Sequence, residues 1–128
     1  MSERPIGELT PGPDDEPWFA ATARGELLLR HCEGCGALHF PPRPICPHCF
    51  SDRTSFRESS GTGTIYSFSI LRRVAVPYCI AYVTLDEGPT MLSNIVDCPL
   101  DRIAIGQRVR VVFRDSANGL KVPMFAPG

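Results

Sequence analysis

The sequence predicts a mainly β chain: a short N-terminal helix, then a small cysteine ribbon, then a five-stranded barrel. Three observations carry this. Helix punctuation is concentrated between Asp14 and Gly25, cysteines pair at short spacing between residues 32 and 49, and β-branched and aromatic runs separated by turn residues fill the chain from Gly61 onward. A length of 128 residues suits one compact unit or two small ones and excludes two full-sized catalytic domains. The expected boundaries are a flexible acidic tail over 1–16, the helix and ribbon over 17–58, and the barrel over 59–128.

The tail carries Glu3, Glu8, Asp14, Asp15 and Glu16 against Arg4 alone, and it has no apolar stretch of the kind a secretory signal needs. The longest apolar run, Val74 to Val83, contains Pro77 and is far shorter than the roughly 20 residues that span a bilayer. A cytoplasmic protein with no membrane segment is therefore expected. The whole chain has net charge −1; without the tail, nine acids face twelve bases, a mildly basic body. Nothing global draws it to nucleic acid or to an anionic membrane.

Asp14, Asp15 and Glu16 suit a helix N-terminus, Pro17 suits a first turn, and Gly25 suits a left-handed stop, which predicts a helix over Pro17–Arg24. Trp18 and Phe19 are its large apolar residues and its expected anchors. Leu27, Leu28 and Leu29 lead into His31 and Cys32, and Ala37 to Phe40 lead into Pro41-Pro42-Arg43-Pro44; these read as short strands around turns.

Cys32-Glu33-Gly34-Cys35 and Cys46-Pro47-His48-Cys49, ten residues apart, give C-x2-C-x10-C-x2-C. Two such knuckles bring four thiolates to one tetrahedral ion, for which zinc is the preferred occupant and iron an alternative. Four protein ligands leave no position for water or substrate, so the ion is expected to be structural. A ribbon of this size cannot bury enough apolar surface to fold alone, which argues for the same metal. In a reducing compartment a metal also explains the pairs better than disulfides do. Gly36 follows the first knuckle, but Phe50 stands in the matching place after the second, where local strain is expected. His31, His39 and His48 are not needed as ligands.

The barrel strands are expected over Thr64–Leu71, Tyr78–Leu85, Met91–Val96, Arg108–Arg114 and Leu120–Phe125. Gly61-Thr62-Gly63-Thr64 lacks the following Lys of a phosphate loop and leads into a strand, so it reads as a turn. The second strand is apolar on both faces, with Tyr78, Ile80 and Tyr82 opposite Cys79, Ala81, Val83 and Leu85, and should be central or covered. Asp86-Glu87-Gly88-Pro89 has hairpin chemistry. Asp101 to Ile105 suits a helical turn. In the fourth strand Val109, Val111 and Phe113 alternate with Arg108, Arg110 and Arg114, one face apolar and the other cationic. Cys79, within an apolar strand, reads as a small hydrophobe, and Cys98 has only exposure at a strand end to recommend it. No set of general acid, base and nucleophile emerges, so no catalytic residue is expected.

Taken in order, Pro17-Trp18-Phe19, Gly25-Glu26-Leu27-Leu28-Leu29, the two knuckles around Phe40-Pro41-Pro42-Arg43, Gly61-Thr62-Gly63-Thr64-Ile65-Tyr66-Ser67, Leu85-Asp86-Glu87-Gly88 and Ile105-Gly106 resemble the acyl-CoA-associated zinc-ribbon/OB-fold family known as domain of unknown function thirty-five. The resemblance covers nearly everything after residue 16; Phe50 departs from the Gly that the family often has. It implies an N-terminal helical element, a rubredoxin-like ribbon held by Cys32, Cys35, Cys46 and Cys49, and a five-stranded OB barrel. It also implies a non-catalytic accessory subunit, part of a hetero-oligomer with a thiolase-like or other acyl-CoA enzyme, that helps bind or enclose acyl-CoA.

CoA offers anionic phosphates and a flexible arm, which arginines beside an apolar groove would suit; Arg43, Arg108, Arg110 and Arg114 are the candidates. The alternative is a single-stranded nucleic-acid module with Tyr66, Phe68, Tyr78 and Tyr82 as stacking platforms, against which stands the absence of a dense basic patch.

Overall fold

The computed structural model describes residues 4–128. Helix α1 spans Glu16–Ala23, one residue earlier at each end than the punctuation suggests. Pro17 occupies its first turn, and Gly25 ends it at φ +81°. The stop is a Schellman arrangement: the Glu26 amide reaches back to the Ala21 carbonyl and the Gly25 amide to that of Thr22.

Strands β1 (Leu28–Cys32), β2 (Leu38–His39) and β3 (Thr54–Glu58) form an antiparallel sheet in the order β2-β1-β3. β3 was not foreseen. Its only large apolar residue is Phe56, so it carries no alternation to read; its place is set by pairing along the whole of β1, and the Arg30 guanidinium lies 4.2 Å from the Phe56 ring centroid.

The remaining strands are β4 (Thr62–Leu71), β5 (Tyr78–Leu85), β6 (Thr90–Ile95), β7 (Arg108–Asp115) and β8 (Lys121–Pro127), and they close a barrel in the order β4-β5-β6-β8-β7. This is the five-stranded OB barrel expected, and each strand lies within two residues of its predicted bounds. All pairings are antiparallel except β6 with β8, which meet in parallel through Ile95 and Phe125. The helical turn expected after residue 100 is a single 3-10 turn, Leu100–Arg102.

Gly63 explains the glycine-rich entry to β4. It pairs with Leu85 on one side and Val109 on the other, where the barrel closes, and a Cβ there would lie 2.7 Å from the Thr84 carbonyl oxygen.

Ribbon and barrel share one core. Leu27 and Leu29, beside and within β1, are almost fully buried in the same cluster as Ile65, Val83, Val109 and Phe125. Trp18 packs against this cluster, lies 6.2 Å from Phe40 ring to ring, and donates its indole N–H to the Leu28 carbonyl at 3.0 Å. The anchor role expected of Trp18 is met inside the chain. Cys79 is buried as expected, and Cys98 is buried too, so exposure does not distinguish it.

The barrel is closed and has no central strand; β5 is paired on both edges, with β4 and β6, but its two faces differ. Cys79, Ala81, Val83 and Leu85 point into the core, whereas Tyr82 stays 49% exposed among the described residues.

The described part of the N-terminal segment lies against the barrel. Ile6 accepts from the Ala117 amide, Leu9 exchanges two hydrogen bonds with the Asn118 side chain, and the Arg4 guanidinium sits 4.0 Å from the Tyr78 ring centroid.

Candidate metal centre

The two cysteine knuckles repeat one turn. In the first, the Cys32 amide donates to Ala37 O and the Gly36 amide to Cys32 O; in the second, the Cys46 amide donates to Ser51 O and the Phe50 amide to Cys46 O. The turn needs a left-handed residue after its second cysteine. Gly36 supplies it at φ +78°, and Phe50 is forced into the same region at φ +65° with its side chain 79% exposed. The strain expected at Phe50 is present.

The repeated turn aims the thiols at one point. The Sγ atoms of Cys32, Cys35, Cys46 and Cys49 all lie within 4.8 Å of one another, with Cys32–Cys49 at 3.5 Å and Cys35–Cys46 at 3.8 Å. A tetrahedral zinc ion with bonds of about 2.3 Å to sulfur sets its ligands roughly 3.8 Å apart. The spacing therefore fits a four-thiolate ion. Backbone amides favour thiolate charge here: His48 N–H points at Cys46 Sγ from 3.4 Å, and the Cys35 amide is the largest influence in lowering the Cys32 thiol to about 6. The Ser51 amide acts on Cys49 in the same sense, but the neighbouring Cys32 thiol and desolvation outweigh it and push Cys49 up to about 12. Gathered sulfurs resist sharing negative charge, a conflict that a divalent cation removes.

The histidines stand outside this cluster. His31 and the Ser55 hydroxyl both approach Glu33. His39 is buried, with Nε2 3.3 Å from both the amide nitrogen and the carbonyl oxygen of Arg43, and burial lowers its pKa. His48 meets the His39 ring edge-on at 6.5 Å.

The four candidate arginines fall on two elements. Arg43 lies on the proline-rich ribbon loop and lines a groove with Arg30, Pro42, Pro44 and Phe56; the other three are on β7 and do not line that groove. Arg108 makes a bidentate pair with Asp86 at 2.8 and 2.9 Å and also reaches Thr64. Arg114 pairs with Asp97. Arg43 and Arg110 are exposed.

The turn between β5 and β6 uses both of its carboxylates structurally. Asp86 bonds Arg108 and Thr62, and Arg108 first, then Thr62, hold it well below the usual carboxylate range. Glu87 accepts from the Ser59 hydroxyl at 2.7 Å and the Ser60 amide at 2.8 Å, tying the turn to the segment that joins ribbon and barrel. Of the aromatic platforms considered, Phe68 packs toward the core and Tyr78 lies under Arg4, which leaves Tyr66 and Tyr82 outward.

Comparison with known proteins agrees with this geometry. Residues 19–55 match the ChsH2 rubredoxin-like zinc ribbon domain and residues 56–114 the ChsH2 C-terminal OB-fold domain. A DUF35 domain-containing scaffold protein of Methanocaldococcus jannaschii is 38% identical over 105 residues, covering 76% of this chain and 74% of that protein. This chain belongs to the DUF35 family. Another relative, the probable enoyl-CoA hydratase alpha subunit of Thermomonospora curvata, is 34% identical over 119 residues, which cover 89% of this chain; the chain spans only 37% of that protein's length. Among solved structures, a chain described as the Ltp2-ChsH2(DUF35) aldolase superposes with a TM-score of 0.81 at 32% identity, covering 94% of this chain and 98% of that one. The ribbon of this DUF35 chain is thus a zinc ribbon, and its relatives carry the names of scaffolds and of acyl-CoA enzyme subunits. Among the described residues no helix is long and apolar enough to cross a membrane.

Proposed function

We propose that Cys32, Cys35, Cys46 and Cys49 hold one structural zinc ion, and that the chain is a non-catalytic subunit that docks on a thiolase-like or related acyl-CoA enzyme and helps enclose its substrate. The observation that carries this reading is the closed set of four sulfurs: an ion held there has no open position for substrate, so it stiffens the ribbon and takes no part in a reaction. The names of these relatives support the partner class. Within the arginine set, Arg43 and Arg110 are the better candidates for CoA phosphates, because Arg108 already directs two nitrogens at Asp86 and Arg114 pairs with Asp97. The cytoplasm, where thiols stay reduced, is the compartment that fits.

Tagged full-length chain, expressed in its native host and purified, should bring down an acyl-CoA enzyme subunit identifiable by mass spectrometry. Elemental analysis should find about one zinc per chain, and Cys46→Ser should lose most of it. Turnover of an acyl-CoA thioester by the chain alone would overturn the non-catalytic reading.

A further inference from the structure

We infer that the outer face of β4, β5 and β6 is the surface on which the acyl-CoA enzyme subunit sits, and that the matching patch on that subunit has an uncharged centre and an acidic rim. The inference rests on the accessory-subunit reading and adds to it a place and a chemistry.

In a chain where 21% of residues are charged, β4, β5 and β6 contain no Asp, Glu, Lys or Arg at all, while β7 alone carries three arginines and an aspartate. Their inward positions fill the barrel, but outward ones stay open: Tyr66 is 69% exposed, Leu92 55% and Tyr82 49%. These side chains are neighbours. Tyr82 pairs in register with Ser67 on one side and Leu92 on the other, and Tyr66 stands in a bulge just before Ser67. A bulge re-aims a side chain out of the regular pleat, and here it turns a tyrosine to solvent. Ile80 lies in the next row between Ser69 and Asn94. Tyrosines and an aliphatic side chain among hydroxyls and an amide, without charge, are the composition of an interface centre and unlike that of an ordinary solvated sheet face.

Charge selects the occupant. The strands offer no cation to nucleic acid or to CoA phosphates. The charge beside this face comes from its surroundings: Arg108, which reaches Thr64 of β4, is neutralised by Asp86, whereas Arg4 lies over Tyr78, and Arg72 and Arg73 are exposed in the loop after β4, with no ion pair among the described residues. The rim at that end is basic. The carboxylates at the opposite end, Asp86 and Glu87, are already bonded within the chain, so a second copy has no free acidic cluster there to set against Arg72 and Arg73. An enzyme subunit with an acidic rim does.

The test uses the zinc-loaded full chain and the enzyme subunit identified by co-purification, measured by titration calorimetry. The double variant Tyr82→Arg/Leu92→Arg places two cations in the centre of the face, and because both side chains point outward, it should keep its zinc and melting temperature. It should weaken binding by at least about 100-fold, while Arg57→Glu, at an exposed position on β3 in the ribbon sheet, should leave binding within about threefold. Arg72→Glu/Arg73→Glu should slow association, followed by stopped-flow Trp18 fluorescence, and flatten its salt dependence. Equal binding by wild type and the Tyr82/Leu92 variant would overturn the placement and leave the accessory reading intact. Failure of the wild-type chain to bind any acyl-CoA enzyme subunit would overturn both. A homodimer in sedimentation, or an oligothymidylate complex, that the same double variant abolishes would assign the face to another occupant and refute the inference.

Discussion

Replacing Leu29 with alanine tests whether ribbon and barrel fold as one unit. Leu29 belongs to a ribbon strand, yet its side chain is 0% exposed and packs in the cluster that fills the barrel. Truncation removes three carbons from a core, about 0.8 kcal/mol each in lost transfer free energy, and the unfilled cavity raises the total to roughly 3–4 kcal/mol. For a chain of 128 residues that lowers the melting temperature by about 10–15 °C. Trp18, the only tryptophan, reports on the helix–ribbon junction, and far-UV circular dichroism follows the barrel strands. In urea both signals of the zinc-loaded Leu29→Ala protein should move to the same lower midpoint. Leu92→Ala, on the outside of β6 and 55% exposed, should cost less than about 0.5 kcal/mol. A shift in the Trp18 signal with the dichroism midpoint left in place would show that the ribbon unfolds separately, and would refute the shared core.

Phe50→Gly relieves a left-handed backbone at the cost of one exposed ring, so it should stabilise the zinc-loaded protein by about 0.5–1 kcal/mol in denaturant melts, glycine's extra unfolded-state entropy offsetting part of the gain. Gly63→Ala should destabilise by about 1–3 kcal/mol, because its Cβ meets the Thr84 carbonyl and a Val83 methyl; Gly119→Ala, with open space but positive φ, should lose only the smaller backbone term, and equal losses would remove the steric explanation. Both carboxylates of the β5–β6 turn are held below their ordinary values: Arg108 and then Thr62 act on Asp86, while in Glu87 burial pushes upward and the Ser60 amide and Ser59 hydroxyl overcome it. Depressed folded values mean that this stability is complete above the unfolded values near 4, and is lost as pH falls through the folded ones. Glu87→Gln should therefore lower the melting temperature at pH 7 by more than at about pH 3, and a deficit independent of pH would contradict the assignment.

Legibility followed the physics of each segment. The barrel strands were readable because Cys79, Ala81, Val83 and Leu85, or Val109, Val111 and Phe113, mark faces by period-two alternation, and Gly88 marks a hairpin. The metal centre was readable because knuckle spacing is a local property of the chain, down to the strain at Phe50. β3 was not, since a strand such as Thr54–Glu58 is specified by what it pairs with. The uncovered face of β5 was equally hidden: apolar residues on both sides looked like burial on both sides, and sequence does not say whether the covering comes from the same chain. The partners of Arg108 and Arg114, at Asp86 and Asp97, are contacts between distant segments that no spacing rule reports.

The single parallel join between β6 and β8 has its own consequence. Every other edge of the barrel is a longer ladder, while this one rests on Ile95 beside Phe125, the amide bond from Val96 to the Phe125 carbonyl, and the buried Ser93 hydroxyl donating to the Pro123 carbonyl at 3.0 Å. It is the seam along which the cylinder can unroll into a sheet at the lowest cost, and Ile6 and Arg4 line the hollow beside it, together with Ile95, Val96 and Met124. Residues 4–6 thus act as a seal over the joint. Trimming them should speed deuterium uptake at Val96 well before it touches the amides deep in β4 and β5.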